Sequence, residues 1–150
     1  MKRYLILIGV FIFAVMPVFV YAAGSITVAD PDRTRDHICV LTWTWTGDGS
    51  GDATTTATEP VTGIIMQVDF ASSNGDPEYD VVLNTADSQD ILMGVGANIH
   101  SGVTSTTLKR TPLTIDGMRI YVNHEDVTPV ISNSGATKTG TVTLFILESD

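Results

Sequence analysis

Cysteine is nearly absent. Cys39 stands alone in 150 residues, so no disulfide within the chain can staple the fold, and a small exported domain without such staples depends on its apolar core. Positive charge is scarce as well: 8 lysines and arginines face 17 aspartates and glutamates, a net charge of −9. A surface of that sign repels phosphate backbones and anionic lipid, which excludes nucleic acid as a partner. Histidines are three, His37, His100 and His124. None is two or four residues from another, so no local zinc pair exists. No stretch carries a sustained helical period with caps. Past residue 20 no apolar run is long enough to span a bilayer.

What is present begins at the N-terminus. Lys2 and Arg3 precede an uncharged apolar run from Tyr4 to Val20, with Pro17 near its end. Val20-Tyr21-Ala22 followed by Ala23 fits a signal-peptidase site after Ala22, with small or short residues at the −3 and −1 positions. Residues 1–22 therefore read as a signal helix, and the chain as secreted or periplasmic, with surface or particle association open to it. The alternative is retention of that run as an N-terminal anchor. It sits at the lower edge of what crosses a membrane. Cys39 lies too far on for a lipid anchor. Without Lys2 and Arg3 the 8 basic residues become 6 against 17 acidic, so residues 23–150 carry −11. Those 128 residues, the 150 less 22, make a single domain.

Period two dominates that domain. In His37–Thr46, Cys39, Leu41, Trp43 and Trp45 alternate with threonine from Thr42 on, a strand with one apolar and one threonine face. Cys39 reads there as a core residue. Ile64, Met66, Val68 and Phe70 share a face in the next run, opposite Gln67 and Asp69. Tyr79, Val81 and Leu83 follow. Met118, Ile120 and Val122 oppose Arg119, Tyr121 and Asn123, with His124-Glu125-Asp126 as an exposed turn after that strand. In Thr141–Glu148, Val142, Leu144 and Ile146 oppose threonines, while Phe145 and Leu147 break the alternation, as in a strand partly covered on both faces. Weaker strands are Ser25–Ala29, Ala53–Thr58 and Thr104–Arg110. Turn residues separate the runs at 47–52, 72–77 and 133–135. Ala86–Asn98 has room for a short helical turn capped by Asp87, limited by Gly94 and Gly96. The expected fold is an all-β antiparallel β-sandwich of about 7–8 strands, immunoglobulin-like or jelly-roll, with a small barrel as the alternative.

Chemistry is thin. Asp48, Ser50 and Asp52 present oxygens at alternate positions, as calcium loops do, but Ala53 stands where an EF-hand needs glycine. Calcium is therefore the one cofactor to consider. Ser50 has no histidine and aspartate placed by the sequence to activate it. Gly94-Val95-Gly96 lacks the third glycine and the helix of a dinucleotide loop. Asp80, Asp87, Asp90 and His100 would make an enzyme only if their loops met in a cleft. Trp43 and Trp45, two apart, could form a sugar-stacking platform, or simply fill the core.

The segments 76–84, 87–92 and 94–98 (DPEYDVVLN, DSQDIL and GVGAN), with Thr111-Pro112-Leu113 and 131–144 (ISNSGATKTGTVTL), resemble a family of small virion-associated proteins in phage and prophage gene clusters. The resemblance covers most of residues 25–147. It implies a β fold and an assembly role, and brings no catalytic residues. A signal peptide is a departure from a component assembled in the cytoplasm. The readings that follow are a non-enzymatic structural domain that self-assembles or binds a protein partner, and, as the alternative, a secreted glycan-binding module. Intact-mass measurement of the secreted protein is expected to find a chain beginning at Ala23; a mass that retains residues 1–22 would establish the anchor instead.

Overall fold

The computed structural model describes residues 23–29, 31–35, 37–72, 78–99, 108–110 and 119–148. The expected signal segment 1–22, residues 73–77 of the expected turn 72–77, His100, Met118 and Thr111-Pro112-Leu113 lie outside them. Among the described residues every regular element is a strand, and all pairing is antiparallel. The strands are β1 (Ser25–Val28), β2 (Asp32–Arg35), β3 (Ile38–Thr46), β4 (Ala53–Thr54), β5 (Glu59–Ser72), β6 (Asp80–Asn84), β7 (Leu108–Arg110), β8 (Tyr121–Ser132) and β9 (Thr139–Leu147).

One ladder runs β1-β3-β9-β5-β8-β4, with β2 beside β3, β7 beside β5 and β6 beside β8. It curls. The first half of β8 pairs with β5, while its second half lies between β4 and β6. Gly24, just before β1, lies against Asp52 and Ala53 at the start of β4, so the two ends of the ladder nearly meet. The core fills the curl.

The alternation of β3 holds as read. Cys39, Leu41, Trp43 and Trp45 are buried, and Val142, Leu144 and Ile146 of β9 face them. Directly paired residues of an antiparallel ladder share a face, so the core forms in rows: Cys39, Ile146 and Ile65; Leu41, Leu144 and Val68; Trp43, Val142 and Phe70. In the last row Trp45 is opposite Gly140, and its indole occupies the space a side chain there would need. A Cβ on Gly140 would overlap Cζ2 of Trp45 and the carbonyl of Ala71.

Two expected faces are corrected by bulges. In β5 the pairing steps from Ile65↔Ile146 to Gln67↔Phe145, leaving Met66 as an extra residue. An extra residue inverts parity. Ile65 is therefore inward with Val68 and Phe70, and Ile64 and Met66 are half-buried on the other side. In β8 the pairing steps from Val122↔Gly63 to Glu125↔Val61, and His124 takes φ +52°. His124-Glu125-Asp126 is thus a bulge inside a long strand, not a turn after a short one. Pro129 lies in the second half. It has no N–H to donate, and it lies opposite the break where residues 55–58 leave the ladder between β4 and β5. Of the expected strand Ala53–Thr58 only Ala53–Thr54 is strand.

Residues 90–99 form no helix. Successive turns close with Met93 N–H donating to Asp90 O, Val95 to Leu92 and Ala97 to Gly94. This ribbon bonds to β6 through Ile91 N–H to Leu83 O, Val81 N–H to Gly96 O, and the reciprocal Tyr79–Ile99 pair. It covers an edge that would otherwise invite pairing with another chain, and it buries Ile91, Leu92, Val95 and Ile99.

Gly140→Ala is expected to destabilise the fold by about 3 kcal/mol, as overpacking against an immobile ring does. Gly94 has φ +79° and open space around a Cβ, so Gly94→Ala should cost only about 1 kcal/mol of backbone strain. Urea unfolding of both variants checks the order; equal effects would contradict the Trp45–Gly140 packing.

Candidate functional site

Polar chemistry concentrates at the end of the domain where β3 and β8 turn back. The loop 47–52 is wound around one carboxylate. Asp48 Oδ1 accepts the N–H of Ser50 at 2.7 Å and of Asp52 at 3.0 Å. The Asp48 carbonyl accepts Gly51 N–H at 3.1 Å and, from the loop 133–138, Thr137 N–H at 3.1 Å. Its own N–H donates to Asp52 O. The amides donated by Asp52 and then Ser50 hold the Asp48 carboxyl below its ordinary range, because they favour the ionised form. The second loop is locked to the first. The Ser134 hydroxyl is buried and donates to Gly51 O at 2.6 Å, and Asn133 N–H donates to Asp52 Oδ1 at 3.2 Å.

Asp80 joins a third segment to the same end. Its Oδ1 accepts Asn98 N–H at 2.7 Å and its Oδ2 accepts the Asn133 side-chain amide at 3.1 Å. Asp90 anchors the turn ribbon. Oδ1 accepts Leu92 N–H at 2.9 Å and Leu83 N–H at 3.3 Å, and Oδ2 accepts Gly94 N–H at 2.8 Å. The anchoring carboxylate is therefore Asp90, where Asp87 was expected as the cap; Asp87 is exposed in the preceding turn. The signal was available: an aspartate followed two and four residues later by backbone that must turn.

These bonds decide what the sequence candidates can do. Both oxygens of Asp80 and of Asp90, and one oxygen of each of Asp48 and Asp52, face backbone or amide donors. At the loop 47–52 the Ser50 and Asp52 amides both point at Asp48 Oδ1, so that oxygen is engaged in holding the loop. Among the described residues no three His, Cys, Asp or Glu side chains are placed to hold a metal ion. Trp43 and Trp45 are each 1% exposed, so neither indole offers a face for stacking a sugar. Trp45 packs on Tyr79 with ring centroids 5.4 Å apart, and its Nε1–H is buried without an acceptor. Cys39 is buried and forms no disulfide, as its place in the β3 alternation implied.

The outer face of the sheet has another character. The outward residues of β1, β3, β9 and β5, with Tyr121 of β8 at one corner, fall in cross-strand rows: Ser25, Thr46 and Thr139; Thr27, Thr44, Thr141 and Ala71; Thr42, Thr143 and Asp69; Val40, Phe145 and Gln67; and Ile38, Leu147, Ile64 and Tyr121. Thr42 and Thr143 share a hydroxyl–hydroxyl bond of 3.2 Å. Within β1, β3, β9 and β5 Asp69 is the charged residue of these rows, and the flanking strands add Asp32 opposite Val40, Arg35 opposite Ile38 and Lys109 opposite Asp69. Asp69 is 8% exposed and accepts a bond from Gln67. Tyr121, by contrast, is 54% exposed. The apolar outer rows were signalled by Phe145 and Leu147. Their continuation through Ile64 and Tyr121 was not, because it depends on the Met66 bulge.

Comparison of the chain with protein-family models, curated proteins and solved structures finds no match.

The Asp48 carboxyl, lowered in the fold, contributes stability that is present above its unfolded value and lost as pH falls through the folded one. The difference in melting temperature between wild type and Asp48→Asn is therefore expected to stay constant above about pH 5 and to close below about pH 4. A difference that widens in acid would contradict the loop geometry. Excess calcium or chelator is expected to leave the melting temperature unchanged; a calcium-dependent rise would return Asp48–Asp52 to the list of metal sites.

Proposed function

We propose that the chain is a non-enzymatic, exported structural domain that assembles with itself or with a protein partner on a virion-like particle or cell surface. The observation that carries the reading is the division of its surface. The carboxylates that a hydrolase or metal enzyme would deploy hold backbone in place, those of Asp48, Asp52 and Asp80 at one end of the domain and that of Asp90 in the ribbon beside β6. A broad sheet face elsewhere presents threonine and apolar side chains across β1, β3, β9 and β5, with charges only at its flanks. Contiguous exposed apolar patches mark contact surfaces. The loops are cross-bonded to one another, as suits a rigid building block more than a closing active site.

Export rests on the N-terminal segment, and the particle association on the phage-like motif order. The glycan-binding alternative loses its aromatic platform with both tryptophans in the core.

Sedimentation of the mature protein, alone and mixed with virions or cells of the producing strain, tests the reading. Concentration-dependent association or co-pelleting is expected. A protein that stays monomeric at high concentration and remains in the supernatant would overturn it.

A further inference from the structure

We infer that the outer face of β1, β3, β9 and β5 is the self-association surface, and that its occupant is the same face of a second copy. The inference rests on the assembly reading above and names the surface that reading leaves open.

Charge is the first argument. Residues 23–150 carry −11, the balance of 6 basic and 17 acidic residues, so two copies repel wherever carboxylates meet. Asp48, Asp52, Asp80, Asp87 and Asp90 lie in loops, turns or at the start of β6. Within β1, β3, β9 and β5 the five outward rows expose no charge, since Asp69 is buried and bonded to Gln67. Charges stand at the flanks, with Asp32 opposite Val40 and Arg35 opposite Ile38 on β2, and Lys109 opposite Asp69 on β7, so two such anions meet fewer carboxylates here than at the loops. A cationic partner would instead be drawn to the loops.

Area is the second. Four strands about 4.8 Å apart and five rows about 6.8 Å apart span about 14 by 27 Å between outermost positions. The seventeen residues of those rows, at about 4.8 by 6.8 Å each, project roughly 550 Å². Corrugation takes the accessible area toward the roughly 800 Å² per partner of a stable interface.

Composition is the third. The face is zoned along the strands. Threonine and serine fill the rows nearest the β3–β4 loop. Val40, Phe145, Ile38, Leu147, Ile64 and Tyr121 fill the other end. A two-fold axis parallel to the strands sets apolar rows on apolar rows and threonine on threonine. Sheets packed face to face at about 10 Å interdigitate such side chains, and an isologous contact of this kind closes on itself.

The test is sedimentation equilibrium of the mature protein and three variants. Thr44→Glu/Thr141→Glu puts two carboxylates in one row of the face. Tyr121→Ser removes its most exposed apolar side chain, and serves if the double variant does not fold. Ala86→Glu adds the same charge at an exposed turn off the face. The dissociation constant is expected to rise at least about tenfold in the first two and to stay at the wild-type value in Ala86→Glu. Association retained in a folded face variant overturns the surface and leaves the assembly reading standing. A monomeric wild type overturns both.

Discussion

The indole of Trp45 lies over the bare backbone of Gly140, and the register of the whole β3–β9–β5 ladder depends on that contact. Trp45 and Gly140 are opposite one another. A slip of one residue would send every buried side chain of β3 to the outer face and bring the threonines into the core. No other residue at position 140 leaves room for the ring. The Nε1–H of Trp45 remains buried without an acceptor, which costs roughly 1–3 kcal/mol. The ring's burial against Tyr79 and Gly140 offsets that, so its volume, not its polar atom, explains its place. Trp43 is set one row further in, between Val142 and Val28. With a single cysteine and no disulfide, this aromatic layer does what cross-links do in small exported domains.

The curl of the sheet follows from two irregularities in long strands. Gly63 has φ +131°, and a Cβ there would overlap the Leu147 carbonyl. It pairs beside the His124 bulge, so β5 and β8 bend together, as bulged pairs do. From that bend β8 leaves β5 and continues between β4 and β6, which brings β4 back toward the start of β1. The carboxylates of Asp48, Asp80 and Asp90 then fasten the loops that the curl brings together, by accepting amide hydrogens that would otherwise lack partners.

The parts legible in the sequence were those with chemically different faces. β3 announced itself because cysteine, leucine and tryptophan alternate with threonine. β6 and β9 followed the same rule, and the half-covered outer side of β9 could be read from Phe145 and Leu147. Bulges were not legible. Met66 is as apolar as its neighbours, so the face of Ile64 and Val68 looked continuous, and His124 looked like an end because polar residues followed it. Pro129 disguised the second half of β8, since proline in a paired strand is tolerated only where the facing ladder is broken. The turn ribbon 90–99 repeats neither at two nor at 3.6 residues. At the candidate site, Asp48 and Asp52 had the spacing of calcium ligands, yet that spacing equally suits an aspartate that caps its own loop. The Trp45–Gly140 pairing spans most of the chain and needs the register to be seen.

Two surfaces result, one of charged groups engaged in holding loops and one of threonine and apolar side chains with charges only at its flanks. The account holds that association proceeds through the second. The most direct measurement is the dilution dependence of amide chemical shifts in the mature protein. Shifts confined to Thr27, Thr44, Thr141, Phe145, Leu147 and Tyr121 are the predicted result. Shifts centred on residues 47–52 and 133–138, or none at any concentration, would contradict it.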